Sequence, residues 1–264
     1  AIEPSAEEMA KATQWMDSKL GAGPLDVPFS FVFGALPSRQ LLPTWKIERN
    51  VRDLDANRSE RRISWKDPAT GLLVQLTAVM YRGDPAVEWV IHFKNAGKAD
   101  TPILEQVLAL DADIGLPTSD GPTKLHFAEG SHERITDFQP MERTLGPGDR
   151  FELSSFGGRS SDGTLPFFNL ATAGGGGVAV GIGWTGQWAA AFARPGNGGV
   201  RAQAGMELDL GTWAVPPVFG MIQRMGKVEE IGQGIQEMSL RIANELADRF
   251  GVPRVAIGQR GQGE

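Results

Sequence analysis

Between Arg61 and Lys94 the apolar residues of this chain recur at every second position, and this period is what most restricts the possible folds. Ile63 and Trp65 precede the turn sequence Asp67-Pro68-Ala69-Thr70-Gly71, and Leu72, Val74, Leu76, Ala78 and Met80 follow it. After Gly83-Asp84-Pro85 come Val87, Trp89, Ile91 and Phe93. Successive side chains of a strand point to opposite faces, so the pattern predicts an antiparallel meander with one buried face. Further strand-like runs lie at residues 103–110, 124–127, 150–153, 165–170, 178–184, 188–192 and 200–208. No long helical pattern interrupts them, which points to a mainly β protein, a large antiparallel sandwich or barrel, and away from a βαβ sheet. The 34 glycines and 17 prolines supply the many tight turns that such a fold needs.

Helical signals flank this region. Ser5 and Glu8 form a capping box ahead of an apolar stripe of Met9, Ala12, Trp15, Met16 and Leu20, and Gly21 and Gly23 stop it. A second helix is expected at about residues 228–250, where Val228, Ile231, Ile235, Met238, Ile242 and Leu246 repeat at three and four residues before Gly251 and Pro253. Its apolar seam would pack on the chain's own sheets or on a second copy, giving a homo-oligomer. The expected organisation is an N-terminal helix and linker over residues 1–27, a sandwich over 28–208 and a divergent tail over 209–264, with residues 258–264 disordered.

With 264 residues the chain can bury a sizeable core as one large domain or two small ones. Its 26 Lys and Arg against 32 Asp and Glu give a net charge of −6, which offers no field for a phosphate backbone, so nucleic acid is not an expected partner. No apolar run reaches the roughly 18 residues of a membrane-spanning helix, and no membrane partner is expected. The absence of cysteine excludes disulfides, thiol nucleophiles and iron–sulfur clusters, and leaves the compartment open, cytoplasmic or exported. A start at Ala1 fits signal-peptide cleavage or numbering alone.

Few motifs carry chemistry. Gly174-Gly175-Gly176-Gly177 lacks the following Gly-Lys-Ser/Thr of a phosphate loop and reads as a hairpin. His126 and His132 sit near Glu129 and Glu133, but Gly130-Ser131 breaks the helix that a two-histidine ligand face would need. Neither a metal nor a cofactor is expected. Asp111 and Asp113 lie two apart, so on a strand their carboxylates share a face roughly 6.5–7 Å apart. That spacing suits acid/base work or a cation, or simply a polar strand end. Seven tryptophans stand against one tyrosine, and Trp184 and Trp188 bracket Thr185-Gly186-Gln187. Aromatic faces pack against the C–H faces of sugars, although burial in a core is the commoner fate of such residues.

Several blocks together resemble the amino-terminal region of glycoside hydrolase family 36, the α-galactosidase family. They include Pro28-Phe29-Ser30-Phe31-Val32-Phe33-Gly34, Leu41-Leu42-Pro43-Thr44-Trp45, Pro85-Ala86-Val87-Glu88-Trp89 and Thr136-Asp137-Phe138-Gln139-Pro140. Gly157-Gly158-Arg159-Ser160-Ser161 and Gly183-Trp184-Thr185-Gly186-Gln187-Trp188 continue the series, which spans about residues 28 to 208. The resemblance implies a β-supersandwich, which in that family precedes a (β/α)₈ barrel carrying two catalytic aspartates. Nothing in this sequence resembles those barrel segments. In the family the supersandwich helps to wall the active-site mouth and mediates subunit contacts, which implies roles for Trp45, Asp137 and residues 159–162, Arg159 and Asp162 included. The expected function is therefore binding of a galactoside-like carbohydrate or of a separate catalytic chain, with Trp184 and Trp188 as further sugar contacts. A hydrolase site rebuilt on the sandwich, using Asp111, Asp113, Asp137 or Glu142, is one alternative. An oligomerisation domain is the other.

Overall fold

The computed structural model describes residues 4–21, 26–116, 121–173, 176–196, 199–206 and the backbone of 220–223. Helix α1 (Ala6–Leu20) starts at the expected capping box: the Ser5 hydroxyl accepts from the Glu8 amide, and the Glu8 carboxylate accepts from the Ser5 amide. It ends where the Gly21 amide donates to the Asp17 carbonyl. The strands are β1 (Ser30–Phe33), β2 (Leu36–Pro37), β3 (Lys46–Asp53), β4 (Arg58–Lys66), β5 (Leu72–Tyr81), β6 (Val87–Asn95) and β7 (Leu104–Asp113). There follow β8 (Thr123–Ala128), β9 (Pro140–Leu145), β10 (Arg150–Ser154), β11 (Phe167–Ala171), β12 (Gly177–Gly181), β13 (Trp188–Ala193), β14 (Arg201–Met206) and β15 (Gly220–Gln223).

These strands form three antiparallel sheets. The five-stranded sheet runs β15-β6-β5-β4-β3, the six-stranded sheet β10-β13-β14-β7-β1-β2, and the four-stranded sheet β12-β11-β8-β9. The expected meander is β4-β5-β6, in which Ile63 pairs with Leu76 and Leu76 with Ile91, while Trp65 pairs with Val74 and Val74 with Phe93. All six residues are buried. Its first turn is tied by Asp67, whose carboxylate accepts from the Ala69 and Thr70 amides. Gly71 closes that turn at φ +81°, where a Cβ would lie 2.9 Å from the Gly97 nitrogen, so no other residue fits without strain.

The inner face of the six-stranded sheet serves two cores. Phe31, Phe33, Leu104 and Ala109 pack with the five-stranded sheet's Ile63, Trp65, Leu76 and Phe93. Leu110, Ala112, Phe192 and Ala202 pack with the four-stranded sheet's Leu125, Leu145, Phe168 and Leu170. The handover occurs on β7, where the pairing with β14 shifts register between Ala204 and Gly205. This bulge lets the consecutive residues Ala109 and Leu110 both be buried, one in each core. Trp89 touches both cores and donates through its indole to the Ala109 carbonyl at 2.7 Å. Helix α1 lies over this junction, since the Trp15 indole donates to the Asp113 carbonyl at 2.9 Å and Arg61 pairs with Asp17 at 3.0 Å.

Strand β15 pairs with β6 from Gly220↔Lys94 to Gln223↔Ile91, so the five-stranded sheet takes a strand from beyond residue 208. The expected helix at 228–250 and the tail at 258–264 lie outside the described residues, as do Gly23, Gly174 and Gly175. Among the described residues no helix is long and apolar enough to cross a membrane, and no group of three His, Asp or Glu could hold a metal ion.

Candidate functional site

Three loops meet beside the second core: residues 129–139 between β8 and β9, 155–166 between β10 and β11, and 182–187 between β12 and β13. Backbone hydrogen bonds lace the first two together. The Gly130 amide donates to the Gly163 carbonyl at 3.0 Å and the Ser131 amide to the Ser161 carbonyl at 2.9 Å. Gly130 is required there, because a Cβ would lie 2.0 Å from the Ser161 carbonyl oxygen. Trp188 anchors the second loop, donating through its indole to the Ser160 carbonyl at 2.7 Å, while its amide donates to the Ser155 hydroxyl at 3.0 Å. From the third loop, the Gln187 side-chain carbonyl accepts from the Gly158 amide at 3.3 Å.

On this frame sits a polar cluster. Asp162, largely buried, accepts from Arg159 Nη2 at 2.7 Å on one carboxylate oxygen and lies 3.0 Å from His132 Nδ1 with the other. Asp137 accepts from the His132 amide at 2.9 Å and from the Ser131 hydroxyl at 3.0 Å. These donors, the His132 amide foremost, hold the Asp137 carboxyl below its ordinary range. The loop it ties presents Ile135 and Phe138 to solvent, with Glu133 at φ +60° and Phe138 at φ +63°, a region that non-glycine residues seldom occupy. Phe156 on the second loop is also exposed.

The structure thus gathers Asp137, Arg159 and Asp162 at one end of the sandwich and seats Trp188 beneath them. Trp188 itself is 0% exposed and packs edge-on against Phe168, and Trp184 is half-buried against the same core. Trp45 is remote from them, buried in the first core against Phe31 and Phe33. Asp111 lies on the outer face of the six-stranded sheet, where one oxygen accepts from Arg201 at 2.6 and 2.9 Å and from Gln203 at 3.0 Å, with Arg39 3.6 Å from the other. Beside it a shallow recess of about 310 Å³ is lined by Arg150, Glu152, Ser154, Ala191 and Gln203. Asp113 accepts from the Gly115 amide at 2.7 Å and caps a turn.

Glu142, on the four-stranded sheet, takes Lys124 at 2.7 Å, and this ammonium lowers its carboxyl pKa. Its second oxygen is 3.6 Å from His126 Nδ1. Burial lowers the pKa of the His126 imidazole, partly countered by Glu142. Asp111, Asp113, Asp137 and Glu142 share no hydrogen-bond partner in these contacts. The two histidines near in sequence are likewise separated, His126 on β8 and His132 in the loop cluster. Sequence reasoning weighed His132 only as a metal ligand beside His126, and missed the exposed Phe156 altogether. The signal for Phe156 was a single aromatic between Ser154-Ser155 and Gly157-Gly158, turn-forming surroundings that give an aromatic no core to join.

Three antiparallel sheets sharing two cores, with a loop cluster at one end, define a β-supersandwich. The model of the glycosyl hydrolase family 36 N-terminal domain matches residues 37–215, and the chain belongs to that family. No curated protein matches it. Among solved structures it is similar to the family 36 α-galactosidase AgaA of Geobacillus stearothermophilus, with a TM-score of 0.54 and 18% identity over 76% of this chain and 29% of that one. An AgaA variant in complex with raffinose gives 0.55 and 18%, covering 76% of this chain and 30% of that chain. The α-galactosidase from Lactobacillus brevis gives 0.56 and 17%, covering 75% and 28%. At these identities the likeness is one of fold, and the present chain spans about three tenths of the length of those it matches.

Proposed function

We propose that this supersandwich is a non-catalytic binding domain that takes a galactoside-type carbohydrate at its loop end and leaves bond cleavage to a catalytic domain. The observation that supports this reading most is the Arg159–Asp162–His132 cluster, held on hydrogen-bonded loops beside exposed aromatic rings. Such a set offers donors, acceptors and an apolar surface together, which is what a sugar requires. The raffinose complex of an AgaA variant makes a galactoside the first ligand to try. A non-catalytic role is favoured because Asp111, Asp113, Asp137 and Glu142 are each engaged by donors of their own. Retaining and inverting glycosidases need two carboxyl groups facing one bond, about 5–10 Å apart.

The test is calorimetric titration of the purified chain with raffinose, run beside a hydrolysis assay on chromogenic galactosides. Binding without turnover is expected. Turnover abolished by Asp111→Asn or Asp137→Asn would make the chain a hydrolase in its own right. Docking to a catalytic chain is a second reading, favoured by the solvent-facing Ile135, Phe138 and Met141 on and beside the 129–139 loop.

A further inference from the structure

Resting on the carbohydrate reading of the loop end, we infer that Phe156 is the stacking platform of that site, with His132 and Arg159 as its hydrogen-bonding wall and a galacto-configured pyranoside as its ligand. The tryptophans that the sequence offers for stacking are engaged elsewhere: Trp45 and Trp188 are buried, and Trp184 leans on the second core. Phe156 is 54% exposed. Its ring turns its Cδ2–Cε2 edge to Gly163, where a Cβ would lie 2.3 Å from Cδ2 and 2.6 Å from Cε2, so glycine is what admits the ring at this approach. The backbone of Phe156 is held at both ends by the polar cluster, its amide donating to the Asp162 carbonyl at 3.0 Å and its carbonyl accepting from the Arg159 amide at 3.1 Å. The ring is therefore pre-positioned by the same turn that carries the polar groups, which lowers the ordering cost of binding.

The wall has a defined polarity. Asp162 is occupied by Arg159 and His132, and acts as a positioning residue. Arg159 uses one edge of its guanidinium on Asp162, and its side chain is otherwise largely in solvent, so N–H donors remain for hydroxyls. With Nδ1 facing Asp162 at 3.0 Å, the His132 ring is oriented so that Nε2 is the nitrogen left to meet a hydroxyl. Hydrogen-bonding groups beside an apolar ring fit the hydroxyls of a neutral polyol, which both donate and accept, whereas an anion would be opposed by Asp162 and Asp137 and a cation by Arg159. A galactopyranoside has its 4-hydroxyl axial, so the C–H groups of one face form a continuous apolar patch that can lie on an aromatic ring.

The test is titration of the full chain with methyl α-galactoside, followed by calorimetry and by saturation-transfer NMR. Phe156→Ala should weaken binding about tenfold, with an unchanged melting temperature because the ring is exposed, and Phe156→Trp should keep or tighten it. Methyl α-glucoside, whose equatorial 4-hydroxyl interrupts the patch, should bind several-fold more weakly to the wild type and equally weakly to Phe156→Ala. A wild-type chain that binds galactoside while Phe156→Ala binds equally well overturns the platform and leaves the loop-end reading standing. Equal affinity of the wild type for the two methyl glycosides also overturns the stacking. A wild-type chain that binds neither sugar overturns the loop-end reading itself.

Discussion

The meander β4-β5-β6 and the three-loop end of the second core are built from the same kind of chain, yet different interactions specify them. In the meander each residue's place follows from its neighbours: alternation sets the face, Asp67 and Gly71 set the turn, and pairing such as Ile63↔Leu76↔Ile91 follows. At the loop end local turns such as Phe156–Asp162 do not decide the arrangement by themselves. Ser131 meets Ser161 and Gly158 meets Gln187 through hydrogen bonds that join separate parts of the chain. Burial stabilises the first region, and directional polar contacts specify the second. The second is accordingly the region where polar and aromatic side chains such as Arg159, Phe138 and Phe156 face solvent.

Substitutions can break this contrast, and the largest effect is expected in the meander's core. Trp65 is buried edge-on against Phe29, so Trp65→Ala should cost about 3–5 kcal/mol in chemical denaturation. A loss below 1 kcal/mol would mean that the first core is not a single packed unit. Next comes Asp111, the acceptor for Arg201 and Gln203. Asp111→Ala should cost about 2–3 kcal/mol, because charge-assisted bonds are lost and Arg201 keeps no carboxylate. An effect near zero would show those contacts to be incidental.

A smaller effect is expected from His126. Burial holds its imidazole below the ordinary value of about 6.5, so in acid the unfolded chain binds more protons than the folded one. The folded pKa of this base is lowered, so its contribution favours folding fully above about pH 6.5 and is lost as pH falls through the folded value. Melting temperature should therefore decline as pH falls below about 6.5 in the wild type, and less steeply in His126→Gln. Equal slopes would rule out His126 as the titrating group. The smallest global effect belongs to Asp137→Ala, which should leave the melting temperature unchanged while the His132 amide exchanges with solvent faster. A cooperative loss of stability would show that the loop is part of the core's folding unit.

The same contrast explains what the sequence could reveal. Alternation exposed β4, β5 and β6, because one face of each is buried. Strand β3 gave no such pattern, since almost all of its residues are exposed at the sheet edge, where Lys46, Glu48 and Arg52 make ion pairs in place of packing contacts. Strand β9 was hidden for the same reason, its burial beginning only at Leu145. At the loop end, the flanking glycines marked Arg159 as a loop residue, but the partnership of Asp162 with His132 spans thirty positions and leaves no local trace. Tryptophan content pointed to sugar stacking through Trp184 and Trp188, whereas Trp188 is a buried anchor, donating to Ser160 beneath the loop. A preference of residue type could not distinguish a platform from an anchor, because both tasks favour large aromatic rings.

The central claim is that the loop end, and no other surface of the supersandwich, receives carbohydrate. The most direct measurement is amide chemical-shift mapping of the isotopically labelled full chain during titration with raffinose. Concentration-dependent shifts are predicted for residues in 129–139, 155–166 and 182–187, with the Asp111 and Arg201 amides on the six-stranded sheet unchanged. Shifts centred instead on the recess lined by Arg150 and Gln203, or no shifts at millimolar sugar, would contradict the claim.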